Sequence, residues 1–364
     1  MTYLFSNPQV KKWKTMFFLS LLLNIILIIT FILREHESDT DTKEKDQSMI
    51  SENIENGAGN DKDSEISIIN MDEKKEEKKI KKGDLIVQSV TIEDNFYSAF
   101  SRSEDVGKAS EHLGIQNLAD LLGAHMARLL AWDLVLRADV RKGDKCSFIY
   151  RAIPEDERLK RNDLPDLIEI VAMKYYSRKF MKSIDIFNFK ASGDKYSRFY
   201  YSSGEMIEKI ITPVSPIVDY IQVTSQIADR APRHDGIDFK AQIGTPVYST
   251  VSGKVTRTNW MTKYNGYCIE IKEAGKPFTY KYLHLSDVLV KPGQSVRAGD
   301  HIANSGNTGK TTAPHLHYQI NVGQRGEVKD PFKQHSVKTV SLDGEDIESF
   351  RRKVVELEKI LSDY

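Results

Sequence analysis

Two histidines stand one residue apart in the segment "TAPHLHYQI", residues 312–320. The residue types favour a β-strand, and successive side chains on a strand point to opposite faces. His315 and His317 therefore share one face, while Leu316 points to the other. Two imidazoles that can reach one common atom indicate a bound metal or a proton-transfer site.

Further candidate ligands occur in two other segments. "RHDGIDF" contains His234 and Asp238, which share a face when the segment is extended. Between them, the missing side chain of Gly236 is expected to leave room for an ion or a substrate backbone. "YKYLHLS" contains His284. Catalytic zinc is commonly held by three nitrogen and oxygen ligands, with a fourth position open. Each motif alone is weak, since Asp238 would also fit a turn cap, but their joint occurrence favours a metal site.

The chain around these residues divides into two predicted globular parts of overall α+β class. Residues 84–213 contain helix-like and strand-like runs such as "NLADLLGAHMARLLAW" and "LIEIVAMKYY", and they predict a small α+β domain. Residues 214–333 contain short strands between Gly- and Pro-bearing turns, and they predict an antiparallel β domain. Residues 334–364 predict a tail with an amphipathic helix that packs on the outside of a domain.

The N-terminal quarter of the chain predicts a membrane tether. Residues 1–15 carry lysines and precede an uncharged apolar run at 16–33, close to the shortest length that spans a bilayer. The lysines predict a cytoplasmic N-terminus. A cleaved signal peptide is the alternative, but no small-residue cleavage site follows Leu33. Residues 34–83 predict a disordered charged linker, or a solvated helix at "MDEKKEEKKIKK".

Composition restricts the remaining possibilities. The chain has 52 basic and 52 acidic residues, so its net charge gives no case for a nucleic-acid partner. Cys146 and Cys268 lack the spacing of a thiolate zinc site, so they form a disulfide or pack as small apolar residues. Three further histidines have no partner nearby in sequence, and we interpret them as ordinary surface or core residues: His112, His125 and His301.

These segments together resemble a known enzyme family. "RHDGIDFKAQIGTPVYSTVSGKV", "YKYLHLS" and "VKPGQSVRAGDHIANSGNTGKTTAPHLHYQI" resemble the lysostaphin-type zinc endopeptidases, which cut peptide bridges of bacterial peptidoglycan. Residues 84–213 are similar to the N-terminal domain of Gram-negative murein DD-endopeptidases. Two departures are a short segment before "RHDGIDF" and the absence of a LysM pattern before Asp84.

The resemblance implies roles for five residues. His234, Asp238 and His317 would bind Zn²⁺, and His284 and His315 would be catalytic. We assign proton transfer to His315 and stabilisation of the oxyanion to His284, although the two roles can be exchanged. The loop 306–309 is predicted to wall the substrate groove.

The resulting hypothesis is a zinc-dependent endopeptidase that hydrolyses peptide cross-links of peptidoglycan in the periplasm. It would be held in the inner membrane by its N-terminal helix, with regulatory envelope proteins as candidate partners and with the 84–213 domain able to cover the groove. The alternatives are a non-catalytic regulator that activates a separate cell-wall amidase, and an envelope scaffold with an unused metal site.

Overall fold

A computed structural model describes residues 68–70, 84–161, 163–227 and 234–362 of the chain. The predicted cytoplasmic segment 1–15, the predicted anchor 16–33 and most of the predicted linker 34–83 lie outside these residues. All of the described residues fall in one compact unit, Glu65–Tyr364. Among them, no helix combines the length and the apolar character needed to cross a bilayer.

The N-terminal part of this unit is a mixed α/β module. Its sheet has six strands among the described residues, in the spatial order of the chain: β1 (Ile68–Asn70), β2 (Leu85–Thr91), β3 (Lys145–Ala152), β4 (Ile168–Ser177), β5 (Lys182–Phe189) and β6 (Arg198–Tyr201). Its helices are α1 (Phe96–Ser101), α2 (Glu104–Leu113), α3 (Leu118–Leu130), α4 (Leu136–Asp139) and α5 (Glu155–Lys160).

Strand β1 corrects the prediction of a disordered linker at residues 68–70, the only part of 34–83 that the structure describes. It pairs in parallel with β2, Ile68 opposite Leu85 and Asn70 opposite Val87, whereas the later strands of this sheet pair antiparallel. The open edge of β2 offers backbone hydrogen bonds to any extended segment. Such pairing does not require the apolar side chains whose scarcity led to the prediction of disorder.

Helix α3 packs against the sheet of the module, and the two share one apolar core. Apolar residues recur at helical spacing, and Leu118, Leu122, Met126 and Leu130 are fully buried in the same cluster as the sheet residue Phe148. This confirms the helix predicted from "NLADLLGAHMARLLAW". The opposite side of α3 remains available for contacts with the rest of the chain.

The C-terminal part of the unit is built mainly from antiparallel strands, as predicted. Its elements are β7 (Ile210–Thr212), β8 (Gln222–Ser225), β9 (Ile237–Lys240), β10 (Pro246–Tyr248), β11 (Gly253–Thr258), α6 (Thr262–Asn265), β12 (Tyr267–Glu273), β13 (Phe278–Val288), β14 (Ser295–Val296), β15 (His301–Ser305), β16 (His315–Val322), β17 (Glu327–Lys329), α7 (Pro331–Gln334), β18 (Ser336–Lys338) and α8 (Gly344–Ser362).

The larger sheet places β16 at its centre. In the described residues the strand order is β14-β11-β12-β13-β16-β9-β8, and β15 pairs with both β10 and β13. Leu316 and Tyr318 of β16 and Phe239 of β9 are buried in one apolar core on one face of the sheet. The alternation of side chains therefore directs His315 and His317 to the other face.

The C-terminal helix returns to the N-terminal module. Phe350, Val354, Leu357 and Leu361 of α8 are buried in a cluster that includes Phe187 of β5. This agrees with the prediction of an amphipathic helix on the outside of a domain. Strand β18 also pairs with β7 ahead of the helix, so the C-terminal segment returns to the N-terminal module through a strand pair and a helix.

Both cysteines, which lie in described segments, are free thiols. Cys146 and Cys268 are completely buried. Burial raises the pKa of the Cys268 thiol, which keeps it protonated and unreactive. Of the two predicted alternatives, the structure shows packing rather than a disulfide.

Candidate active site and metal centre

Three of the predicted site residues converge at the β9–β16 pair. His317 lies directly opposite Asp238 in the strand register, and His317 Nδ1 is 2.8 Å from Asp238 Oδ1. His234 Nε2 lies 3.1 Å from Asp238 Oδ1 and 3.1 Å from His317 Nδ1. All three side chains are buried. The structure therefore places one ligand atom from each residue around a common centre.

Hydrogen bonds at the outer nitrogens determine which atoms face that centre. His234 Nδ1 is 2.9 Å from the Gln226 carbonyl oxygen, which can only accept, so Nδ1 carries the hydrogen and Nε2 keeps its lone pair. His317 Nε2 lies 3.4 Å from Gln319 Oε1. The Gln319 amide nitrogen donates to Asn321, so Oε1 accepts from His317 and leaves the lone pair on His317 Nδ1.

Three electron pairs thus face one another in a buried space, and this arrangement fits a cation. Burial alone would raise the pKa of Asp238, but the rings of His234 and His317 beside it hold that pKa well below its ordinary value, so the carboxyl is ionised. Tetrahedral zinc with bonds of about 2.0–2.1 Å separates its ligand atoms by roughly 3.3 Å. The observed separations of 2.8–3.1 Å are only slightly shorter.

Gly236 provides space for this centre in a different way from the one predicted. A Cβ atom at this position would stand 2.6 Å from His317 Nε2 and 2.6 Å from the Tyr318 carbonyl oxygen. The missing side chain therefore makes room for the His317 imidazole itself, rather than for an ion or a substrate backbone. Any larger residue would displace a candidate ligand.

The other two predicted site residues stand beside the triad. His315 Nε2 is 3.6 Å from Asp238 Oδ1, and the rings of His284 and His315 have centroids 4.8 Å apart. The His284 ring centroid is 6.0 Å from that of His317. The open side of the metal centre is therefore lined by two imidazoles, which stay outside the set of three ligand atoms.

Both of these imidazoles donate their Nδ1 hydrogen to a backbone carbonyl. His315 Nδ1 lies 2.8 Å from the Ala313 oxygen, and His284 Nδ1 lies 2.9 Å from the Thr308 oxygen. In the neutral ring, Nε2 is then an acceptor. Burial and the nearby His315 lower the pKa of His284 to about 4, and burial lowers the pKa of His315 despite the charge of Asp238. Both rings are neutral near pH 7.

Thr308 is a site residue that sequence reasoning did not single out beyond its place in the 306–309 loop. Its carbonyl holds His284, whose backbone has an unusual positive φ of 63°. Its hydroxyl donates to the Leu285 carbonyl at 2.7 Å and accepts from the Tyr267 amide at 2.9 Å. The side chain thus ties the loop to β12 and β13 at the point where His284 leaves regular geometry.

The three histidines that we interpreted as ordinary residues lie outside this group of five side chains. His301 is exposed and contacts Asn304, and His112 bonds to a carbonyl of its own helix. His125 is partly buried on α3, with Nε2 3.0 Å from Asp166 Oδ2. Gln226 and Ala313 orient His234 and His315 through their backbone carbonyls. Every residue has such a carbonyl, so residue type could not reveal these contacts.

We predict that Thr308→Val lowers the free energy of unfolding by about 1–3 kcal/mol, because it preserves the shape of the side chain but removes two hydrogen bonds. Thr308→Ser retains the hydroxyl and is expected to lose less. Denaturant unfolding of both variants measures the difference, with Thr312→Val, at an exposed position between this loop and β16, as a matched control. Equal losses in the Val and Ser variants would contradict a role for the hydroxyl.

Comparison with known proteins places this site in a described family. Residues 232–331 match the model of Peptidase family M23. Peptidoglycan DD-endopeptidase ShyA of Vibrio cholerae is 30% identical over 232 residues, covering 62% of this chain and 50% of that protein. Lysostaphin of Staphylococcus simulans is 41% identical over 100 residues, covering 27% of this chain and 20% of that protein.

A solved structure described as a zinc-containing peptidase from Vibrio cholerae is 27% identical, with a TM-score of 0.30, and the match covers 68% of this chain and 69% of that one. The chain spans about half the length of the Vibrio cholerae DD-endopeptidase ShyA. The sequence relatives confirm the resemblance that the histidine motifs predicted. The chain carries a domain of Peptidase family M23 over residues 232–331.

Proposed function

We propose that this protein is a zinc-dependent endopeptidase that hydrolyses peptide cross-links of peptidoglycan. The observation that carries the proposal is the convergence of three lone-pair atoms from His234, Asp238 and His317 beside two neutral imidazoles. The names of its relatives, a peptidoglycan DD-endopeptidase and lysostaphin, support the substrate class. The match covers only half of ShyA. We therefore propose the activity of the whole chain rather than take it from this relative.

The donor set of the triad favours zinc as the cation. Two imidazole nitrogens and one carboxylate oxygen are ligands that zinc accepts in catalytic sites, with a further coordination position left open. When bound, zinc supplies a Lewis acid that polarises a peptide carbonyl and makes water a competent nucleophile near neutral pH. His234, Asp238 and His317 would hold this cation at the β9–β16 pair.

His315 is placed to accept the proton of the attacking water. Its Nδ1 hydrogen is committed to the Ala313 carbonyl, so Nε2 presents a lone pair on the side of Asp238. Its lowered pKa keeps it neutral and therefore able to accept. The same nitrogen can return the proton to the leaving amine.

His284 has the same tautomer, and this constrains the role assigned to it. Its Nδ1 hydrogen is bound by Thr308, so Nε2 of the neutral ring accepts rather than donates. Stabilising an oxyanion requires a donor, and His284 becomes one at Nε2 only after protonation. The 4.8 Å spacing of the two rings disfavours two positive charges, so we propose that the pair carries one proton at a time.

We predict that His234→Ala and Asp238→Ala lose both zinc and activity, because each removes a ligand. His315→Ala is expected to retain most of the zinc while its turnover falls by about 10²–10⁴-fold, the usual contribution of a general base. Zinc content and peptide release from the same preparations are the measurements. His301→Ala, at an exposed position, is the matched control and keeps both. A zinc-free His315 variant would show that His315 is the metal ligand and that its role has been exchanged with that of His317.

The function itself is tested on purified peptidoglycan. We predict that the zinc-loaded chain releases peptide-linked fragments from sacculi, that a chelator stops the release, and that added zinc restores it. Mass spectrometry of the fragments identifies the bond that is cut. A chain that holds one zinc per molecule, releases nothing and stimulates a separate amidase would instead support the regulator alternative.

We also propose a location at the inner membrane, with the described unit in the periplasm and with regulatory envelope proteins as partners. The support is the uncharged apolar run 16–33 preceded by Lys11, Lys12 and Lys14. We predict that the full chain stays with membranes during alkaline carbonate extraction, whereas a variant lacking 16–33 is extracted. Full extraction of the intact chain would contradict an anchor.

A further inference from the structure

Lys240 lies on the same face of the sheet as the metal centre. It follows Asp238 by two residues on β9 and stands directly opposite His315 of β16. Their neighbours Phe239 and Leu316 occupy the core on the other face. Directly opposed residues in an antiparallel pair have Cβ atoms about 4.5–5.5 Å apart. A lysine stem therefore runs beside the imidazole proposed to move the proton.

The charge of Lys240 faces a carboxylate from the N-terminal module. Lys240 Nζ is 4.0 Å from Asp166 Oδ1, and the Lys240 side chain is only 12% exposed. Asp166 precedes β4, and its other oxygen lies 3.0 Å from His125 Nε2 on α3. The Arg128 Nε of the same helix donates to the Thr224 carbonyl of β8 at 3.2 Å. The module thus brings an anionic group onto the face that carries the site.

The contact between Lys240 and Asp166 is loose. A separation of 4.0 Å is longer than a hydrogen bond, so the two groups attract by charge without the directional bond of a close pair. Withdrawing an ammonium from water is costly unless an acceptor is well placed. A carboxylate that approaches Lys240 more closely than Asp166 does would therefore be bound in preference.

We propose that Lys240 binds a carboxylate of the substrate peptide and that Asp166 occupies the place of this carboxylate in the present arrangement. The ligand is a peptide with a free carboxylate near the bond to be cut. This inference rests on the proposed endopeptidase function and adds to it a determinant of specificity. It also couples the N-terminal module to the substrate, because both present a carboxylate to one ammonium.

Two substrates distinguish this role from a simple ion pair between the two parts of the chain. One is a cross-linked muropeptide dimer with its carboxylates free, and the other is the same dimer with these groups converted to carboxamides. We expect kcat/KM of the full-length zinc-loaded chain to be higher for the dimer with free carboxylates than for the carboxamide dimer. Lys240→Gln is expected to reduce the acid-to-amide ratio by about tenfold or more, and Lys240→Arg to retain most of it.

Asp166→Asn supplies an independent test, since it leaves Lys240 intact. If Asp166 occupies the carboxylate position, this variant raises kcat/KM for the free acid and changes that for the carboxamide little. If the pair only fastens the module, Asp166→Asn and Lys240→Gln change both substrates by the same factor, which would overturn the inference. Lys272→Gln, an exposed lysine of the same domain, is the matched control and leaves the ratio unchanged. Zinc content and the unfolding midpoint verify that each variant is folded.

Binding of the two dimers, measured by calorimetry, separates failure of this inference from failure of the proposed function. If no form of the chain hydrolyses either dimer, the endopeptidase function fails, while an acid-to-amide affinity ratio that falls in Lys240→Gln still supports the carboxylate site. If hydrolysis proceeds but the ratio is the same in the wild type and in Lys240→Gln, the carboxylate site alone is refuted.

Discussion

The register between β9 and β16 is the constraint on which the site depends. It sets Asp238 opposite His317, so that a carboxylate and an imidazole project side by side. A slip of one residue would turn Asp238 into the apolar core and bring Phe239 to the surface. The burial of Phe239, Leu316 and Tyr318 therefore maintains the register, and the metal centre is stabilised by the core behind it.

The chemistry of this centre follows from where the protons are held. Backbone carbonyls of Gln226, Thr308 and Ala313 take the outer hydrogens of three imidazoles. The lone pairs of these three rings then face inward, one from the ligand His234 and one from each flanking ring, and Gln319 leaves the lone pair of His317 facing the same way. The negative partial charges of these acceptor atoms repel one another unless a cation or a proton lies between them. Metal binding and stability of the site are therefore expected to be coupled.

The N-terminal module belongs to the same unit as the M23 domain and contributes to it from two directions. Helix α8 leaves the C-terminal part and completes the core of the module, whereas α3 and Asp166 contact β8 and β9. If Lys240 binds a carboxylate of the substrate, as proposed, the contact between Lys240 and Asp166 would also depend on whether substrate is bound. A substrate that competes for Lys240 would weaken one of the contacts by which the module is held.

Much of the site could be predicted from residue types and spacing. Strand parity placed His315 and His317 on one face and His234 near Asp238, and the joint occurrence of these motifs indicated zinc. The same alternation places Lys240 on the face of Asp238, but a single lysine forms no recognisable motif, so its role could not be predicted from the sequence. The helices α3 and α8 were also predictable, because their apolar periodicities are strong.

Tertiary structure alone decided the remaining features. The strand at Ile68–Asn70 forms because an open sheet edge accepts any extended backbone, so composition did not reveal it. The positive φ of His284 and its bond to Thr308 depend on a loop that returns from a distant part of the chain. The sequence by itself determined which side chains could share a face. Only folding decided which carbonyls orient them and which carboxylate meets Lys240, because those partners are brought together by packing rather than by periodicity.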